Sequence, residues 1–412
     1  MLAIIAFLFI FVFSLFFIYG RLRNKKIALS PFEVTIVFSF KVLLGCLYGY
    51  LFLKYYGGDD TWLLHTGSIQ EYHKLMNQPL QWFADFDLTA SFRRNTGFAA
   101  GWYFLLSDLE YWIITKPLAV FNIFSRGNYY VNVVFFNLLT FWGQYLVFKV
   151  FAAHFPHRRR LLVLLVFLIP PITFWLSGIR PDAWIMVGMG LTLYYFHAWL
   201  YGKKIKHLLV CLLGLTGLVI FRSPLLLVLL PGMFAWLLSV KMRKRPSVVF
   251  PIIYGVCVLA FFASSYISPQ TNMLTYVVHR QEEFLRLKGN TVYELNVLEP
   301  TVPSFLKTFP QAFVNTVFRP APWEARGGLQ WMAAIETFFV WLLLARSLLR
   351  RDKNTWRNTP ILWVALCFGL GIYLFIGYTV PFPGAIIRYK VIPEMLLLIA
   401  ALMGRKRYYY NK

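Results

Sequence analysis

Leu2-Ala-Ile-Ile-Ala-Phe-Leu-Phe-Ile-Phe-Val-Phe-Ser-Leu-Phe-Phe-Ile-Tyr19 is apolar at almost every position, and after Gly20 comes Arg21-Leu-Arg-Asn-Lys-Lys26. As a helix rising about 1.5 Å per residue, a run of this kind crosses a hydrocarbon core roughly 30 Å thick. It offers no polar face to water, so it reads as a membrane span. Lysine and arginine beside a short loop mark the cytoplasmic side of such a span. The run does not read as a cleaved secretory signal: no basic residues precede it, its apolar part is too long, and no small-residue cleavage site closes it. The expectation is a retained helix with its N-terminus outside.

The pattern of this first stretch repeats along the chain. Of 412 residues, 59% are hydrophobic and 14% charged, and the mean hydropathy is +0.59. About eleven candidate spans of near-membrane length follow one another, at 2–20, 32–53, 129–152, 161–177, 183–201, 207–221, 224–240, 248–266, 331–349, 360–378 and 391–404. Threaded from an outside N-terminus, the clusters Arg21 to Lys26, Arg158-Arg-Arg160, Lys203-Lys-Ile-Lys206, Lys241-Met-Arg-Lys-Arg245, Arg346 to Arg357 and Arg405-Lys-Arg407 all fall on the inner side. Arg93-Arg94 falls outside, in a long loop where the rule is weaker. The expected fold is therefore all-α. It is a polytopic membrane helical bundle of about 11 transmembrane helices, forming a single integral membrane domain over 1–412 with a cytoplasmic C-terminus. Short loops and inner basic clusters fit a bacterial inner membrane.

Two gaps are long, 54–128 and 267–330, and both lie outside in this threading. Each carries apolar and aromatic residues at helical spacing, as in Phe98 to Phe124 and Val277-Val-His-Arg-Gln-Glu-Glu-Phe-Leu-Arg286, which is the pattern of interfacial helices. A shorter outer loop is expected at 379–390. The formal charge of +24 is accounted for by the inner clusters, and with no nucleic-acid-binding motif beside it, nucleic acid is excluded as a partner. Cys46, Cys211, Cys257 and Cys367 fall within apolar runs and read as small buried hydrophobes. A P-loop, a dinucleotide glycine fingerprint and a Gly-x-Ser-x-Gly elbow are all absent.

Chemistry must then come from charges at the outer ends of spans. Asp59 and Asp60 lie in Tyr55-Tyr-Gly-Gly-Asp-Asp-Thr-Trp62, at the exit of the second span. The glycines permit a sharp turn. Adjacent carboxylates among apolar and aromatic neighbours suit a general base with a partner that orients it, and also a possible divalent-cation site. The alternative is Gly-Asp turn chemistry in a solvated loop. His65 and His73 show no metal-ligand spacing, so no metal site is assigned.

Arg180 and Asp182 in Phe174-Trp-Leu-Ser-Gly-Ile-Arg-Pro-Asp-Ala-Trp184 occupy a very short outer turn. There they either pair with each other or contact a phosphate and a sugar. Arg222, in Phe221-Arg-Ser-Pro224, interrupts an apolar stretch at a second outer turn, as a snorkelling residue or a phosphate ligand. Arg388 and Lys390 sit outside just before the last span, where topology does not call for them. A guanidinium fork and an ammonium suit a phosphate, and Glu394 can serve as structural partner to either. His279 and Arg280 are candidate substrate contacts on a helix whose charge pairing also suits a solvated interfacial helix.

This layout resembles the GT-C superfamily of polytopic membrane glycosyltransferases, in span order and in the Gly57-Gly-Asp-Asp60 site. Gly384-Ala-Ile-Ile-Arg-Tyr389 is similar in kind to the arginine-bearing outer loops of such enzymes and of O-antigen polymerases. The resemblance implies an inverting enzyme that transfers sugar from a lipid-linked polyprenyl-phosphate donor to a glycan or lipid acceptor. Asp59 or Asp60 would be the base and Arg180, Arg222 or Arg388 would face the leaving phosphate. Two other classes stand beside it: an O-antigen polymerase-like or ligase-like enzyme that relies on outer arginines, and a lipid-linked saccharide transporter or flippase. Lys41, inside the second span, is the residue that best suits transport.

Overall fold

The computed structural model describes all residues except 26–28, 86, 88, 91, 93–96, 290, 326 and 407–412. Lys26, Arg93, Arg94 and Arg407 of the basic clusters and pairs lie outside the described residues. Among the described residues the chain is helical, with no strand and an isolated bridge between Arg351 and Arg405. The expected all-α class holds. The chain divides into two compact units, Met1–Leu226 and Leu227–Lys412.

In the first unit the helices are α1 (Leu2–Leu22), α2 (Pro31–Tyr56), α3 (Asp59–Asn77), α4 (Pro79–Ala84), α5 (Phe98–Ser125), α6 (Tyr129–His154), α7 (Arg159–Val163), α8 (Pro170–Trp175), α9 (Pro181–Gly202) and α10 (Ile205–Arg222). α11 (Pro224–Lys241) leads into the second unit, which continues with α12 (Pro246–Ala263), α13 (Leu274–Leu285), α14 (Val302–Val317), α15 (Gly328–Leu349), α16 (Lys353–Asn358), α17 (Pro360–Thr379) and α18 (Pro383–Met403). Eight of them, α1, α2, α6, α10, α11, α12, α15 and α17, are long and apolar enough to cross a membrane. The chain reads as an integral membrane protein. α1 is the plainest case, with Leu2, Ile5, Leu8, Phe9, Val12, Phe13 and Phe16 all exposed along it. In water such a surface would be a large liability, whereas in lipid it costs nothing.

The remaining candidate spans depart from the simple pattern for identifiable reasons. The run 161–177 is not one helix. Pro170 and Pro171 lack the N–H a continuing helix needs, so α7 passes through a π-helical turn at Leu164–Leu168 and stops before α8. Side chains take up the carbonyls this releases: Gln144 Nε2 donates to the Val166 carbonyl at 2.7 Å and Thr173 Oγ1 to the Phe167 carbonyl at 2.7 Å. α9 and α18 have spanning length, at 22 and 21 residues, but are more polar; α18 carries Arg388, Lys390 and Glu394. The expected outer loop 379–390 is largely helix, because α18 begins at Pro383. The long gaps are helical too. Residues 54–128 hold α3, α4 and α5, and 267–330 hold α13 and α14.

α2 organises the first unit. Its start has a capping box between Ser30 and Glu33 with Pro31 in the first turn. Glu33 also takes a two-pronged ion pair from Arg159 at 2.6 and 2.5 Å, which ties the start of α2 to the start of α7. Half-way along, Gly45 lets the backbone of another segment come close. A Cβ there would lie 2.6 Å from the Ser177 carbonyl oxygen and 2.8 Å from Val133 Cγ1 on α6. In the second unit α17 packs along α18 and α14, and Leu274, Val277, Val278, Leu298 and Phe305 form one apolar cluster.

The Gly45 contact sets a stability test. Gly45→Ala should cost about 1–3 kcal/mol, as overpacking does. Gly255→Ala on α12, where a Cβ meets open space, should cost nothing or gain slightly. Thermal unfolding of both variants in detergent compares them directly.

Candidate functional site

α2 ends where Gly57 turns into the left-handed region at φ 66°, and Gly58 (φ 111°) and Asp59 (φ 47°) continue the reversal. A left-handed residue other than glycine is uncommon, and aspartate tolerates it better than most. The turn delivers Asp59 and Asp60 into the first turn of α3, where the exposed N–H groups and the helix dipole favour negative charge. The sequence reading of a sharp Gly-Gly turn holds, with the acids opening the next helix. Three contacts fasten this corner. Trp62 Nε1 donates to the Gly49 carbonyl at 2.9 Å, Thr61 Oγ1 shares a hydrogen bond with Tyr129 Oη at 2.7 Å, and the Trp62 and Tyr129 rings stack at 4.2 Å.

The turn between α8 and α9 brings Arg180 to the same place. Lys41 Nζ donates to the Leu176 carbonyl at 2.6 Å, and Asn137 Nδ2 donates to the Ser177 carbonyl at 2.9 Å. Lys41 therefore caps the carbonyl end of α8 from within α2, a structural bond at the residue that best suited transport. Arg180 is buried to 1% exposure and spreads its fork across both acids. Nη1 donates to Asp59 Oδ2 at 2.7 Å and to Tyr48 Oη at 2.8 Å, and Nη2 donates to Asp60 Oδ2 at 2.5 Å. Asp182 stands behind, 4.0 Å from Arg180 Nε and 3.4 Å from Arg222 Nη2. It is 4% exposed, against 22% for Arg222, 35% for Asp59 and 57% for Asp60.

Asp59, Asp60, Arg180, Asp182 and Arg222 thus form one connected cluster from residues spread over 164 positions' worth of sequence between 59 and 222. The pairing expected within Arg180–Asp182 is secondary; the strong partners of Arg180 are Asp59 and Asp60. With its fork spent on the acids, Arg180 is placed to organise them, and Arg222 is the more exposed guanidinium. Asp59 and Asp60 present exposed carboxyls that suit a hydroxyl or a cation. Among the described residues, no three His, Cys, Asp or Glu side chains come together as metal ligands.

Glu110 and Tyr48 belong to this cluster and the sequence did not single them out. Glu110 sits in Ser107-Asp-Leu-Glu-Tyr111 on α5, with Arg222, Asp182 and Asp60 as its charged neighbours. Burial pushes its carboxyl up to about 7, against the opposing pull of Arg222. No local pattern marks it, because its neighbours come from three other helices. Tyr48 is one more aromatic in an apolar span. Its ring begins a ladder on α2, stacking on Phe52 at 4.2 Å, which stacks on Tyr56 at 5.1 Å beside the Gly57 turn.

The other sequence candidates lie in the second unit. Lys390 is buried, donates to Thr337 Oγ1 at 3.0 Å, and stands 3.8 Å from Glu394. Glu394 is thus the partner of Lys390, and Tyr373 Oη also donates to it at 3.0 Å. This is an internal bonded network, where the sequence suggested an outward-facing phosphate ligand. Arg388 lies on α18 with its guanidinium 4.8 Å from the Tyr389 ring centre. His279 pairs with Glu282 at 3.3 Å and Arg280 with Glu283 at 2.6 Å along α13, the charge-paired arrangement of a solvated helix face.

No family model matches this chain, and neither a curated protein nor a solved structure matches it.

Two tests follow from the cluster. Arg180→Gln takes away the buried cation that Asp59, Asp60 and Asp182 share, so it should cost about 3–5 kcal/mol. Arg180→Lys should recover only part, since an ammonium cannot bridge two carboxylates as a fork does. Thermal unfolding reads both. The second test concerns His65, buried on α3 with no hydrogen-bond partner for its Nε2 among the described residues. Burial lowers its pKa from 6.5 to about 4. The folded state thus holds His65 neutral, so its contribution is intact above pH 6.5 and is lost as pH falls towards 4. The loss is on the order of 3 kcal/mol. His65→Phe should flatten that acid limb in unfolding curves taken between these pH values.

Proposed function

We propose that this protein is a membrane glycosyltransferase that moves a sugar from a polyprenyl-phosphate donor to a glycan or lipid acceptor on the extracytoplasmic face. The observation that carries the reading is the Asp59–Asp60–Arg180 fork at the α2–α3 turn. It is an exposed acidic pair held by a buried guanidinium, at the end of an apolar helix. In this reading the eight apolar helices, α9, α18 and the broken 161–177 segment make up about eleven spans. The N-terminus lies outside and the C-terminus in the cytoplasm of a bacterial inner membrane. The donor's lipid lies against the apolar helices and its phosphate at the outer interface.

The chemistry is a single displacement. The acceptor O–H proton passes to a carboxylate of the cluster, which the sequence assigns to Asp59 or Asp60. The oxygen's electron pair forms the new bond to the anomeric carbon, and the carbon–oxygen bond to phosphate breaks with its pair leaving on the phosphate. Attack opposite the leaving group inverts the anomeric centre. The phosphate gains charge as it leaves, and Arg222, on the same cluster, is placed to stabilise it. The exposed Tyr56 edge of the α2 ladder offers a sugar a stacking surface. Arg388, His279 and Arg280 remain candidates for donor or acceptor contact in the second unit.

Transfer from a panel of polyprenyl-phosphate sugars by purified protein tests the reading. Asp59→Asn and Asp60→Asn should each lower the rate with donor binding kept, by about 10²–10⁴-fold where the residue handles the proton. Arg222→Gln should cost about 10²–10³-fold. Full activity in all three variants, with loss confined to Arg388→Gln, would move the assignment to an arginine-based polymerase or ligase. Lipid flipping without any change in the glycan would move it to a transporter.

A further inference from the structure

Several arginines of the second unit converge where α15 ends, α16 begins and α18 ends. Arg346 and Arg350 lie one turn apart at the end of α15 and so share a face. Two backbone bonds tie this end to the residues after α18. The Lys406 N–H donates to the Arg350 carbonyl at 2.9 Å, and the Asp352 N–H to the Gly404 carbonyl at 2.8 Å. These bonds lie on either side of the antiparallel bridge between Arg351 and Arg405. The two arginines therefore face each other as a non-hydrogen-bonded pair, with Cα atoms about 4.5 Å apart. Like charges set opposite each other repel. The half-buried Arg405 also feels Arg346 and Arg350: burial first, and then those two charges, hold its guanidinium below the usual arginine range. The segments 337–393 and 395–412 contain a single acid, Asp352. Its carboxylate accepts from the Asn354 and Thr355 N–H groups at 3.3 and 3.2 Å, capping α16.

The surroundings of this corner are those of a membrane interface. Leu348 and Leu349 are exposed directly before Arg350, and Phe338, Phe339, Leu342 and Leu343 continue an exposed apolar flank along α15. Trp356 and Trp363 meet edge to face at 5.8 Å, and Trp363 Nε1 donates to the Trp356 carbonyl at 2.7 Å. Tryptophans are enriched at headgroup depth. Positive charge gathered at the foot of an apolar flank is the complement of an anionic phospholipid. We propose that this corner binds the phosphate of an anionic glycerophospholipid through Arg346, Arg350 and Arg405, with the lipid's acyl chains along α15. Planar guanidinium donors match phosphate oxygens, and the phosphate charge offsets the repulsion among the arginines. In the threading proposed above this is the cytoplasmic side, whose leaflet carries anionic lipid. The site shares no residue with the Asp59–Asp60–Arg180 cluster and does not depend on the glycosyltransferase reading.

The test titrates lipid into the purified full-length protein in detergent and reads the unfolding temperature and the apparent Kd. Phosphatidylglycerol is the anionic probe, phosphatidylcholine the zwitterionic control, and glycerol phosphate the soluble source of the same phosphate chemistry. Phosphatidylglycerol should raise the unfolding temperature of the wild type, and the other two should not. The double variant Arg346→Gln/Arg350→Gln should weaken phosphatidylglycerol binding about thirty-fold or more. Lys204→Gln/Lys206→Gln, which removes the same charge from exposed positions of the first unit, should leave it within about threefold. Without lipid, Arg346→Gln/Arg350→Gln should unfold at or above the wild-type temperature, because repulsion with Arg405 is relieved. That result also shows that the variant folds. A lower temperature without lipid overturns the proposal, since the arginines would then serve the fold. Equal weakening in the two double variants overturns it in favour of diffuse attraction to a basic surface. Stabilisation by phosphatidylcholine or glycerol phosphate equal to that by phosphatidylglycerol overturns it as well, in favour of a neutral lipid contact or a soluble phosphate.

Discussion

The fork of Arg180 across Asp59 and Asp60 is the constraint on which the first unit turns. A guanidinium at 1% exposure is tolerable only if its charge is met, since desolvating an unpaired cation costs several kcal/mol. Both acids, Tyr48 and, at longer range, Asp182 meet it. To deliver them, α2 must end at a left-handed glycine turn, α8 must stop at a place that Lys41 and Asn137 can cap, and α9 must begin at Pro181. Each of these local features is legible as a means of bringing one charge to one spot. The polar groups are then concentrated where three helix ends meet, and the helix flanks are left to lipid, where an unpaired charge is expensive.

The same constraint separates the roles of the charges. A carboxylate that shares a buried arginine is anchored in direction, which suits holding a hydroxyl. A carboxyl with only distant compensation is free to change its charge. The cluster has both kinds: Asp59 and Asp60 share Arg180, while burial pushes the Glu110 carboxyl up. The second unit offers a contrast. Lys390, Glu394, Tyr373 and Thr337 bond to one another inside the second unit. Such a network orders α15, α17 and α18 and presents no open face, so a charged residue in an apolar helix is not by that fact alone a ligand site.

Much of the architecture is written in local pattern. Apolar length, basic clusters and the Gly57-Gly58 turn each act over a few residues, so helix positions and the acid corner are readable along the chain. The break at Pro170-Pro171 is equally local, since two residues without N–H groups cannot continue a helix. The run's hydropathy masked it, because hydropathy reports composition and is blind to hydrogen-bond supply. Length and composition also could not place α18: its start at Pro383 moves Arg388 and Lys390 from a loop into a helix.

By itself, the sequence determined that the chain is helical, that it carries membrane-length apolar segments, and that Asp59, Asp60, Arg180, Asp182 and Arg222 are out of place unless paired or used. Those statements depend on periodicity, on hydrophobic length and on the cost of charge near lipid, all of which act within a segment. Tertiary structure alone decided which charges meet. It joined Arg180 to Asp59 and Asp60 ahead of Asp182, turned Lys41 into a helix cap, closed Lys390 onto Glu394, and brought Glu110 of α5 into the acidic cluster. Ion pairs and burial depend on distances between segments far apart in the chain, and no local pattern encodes them.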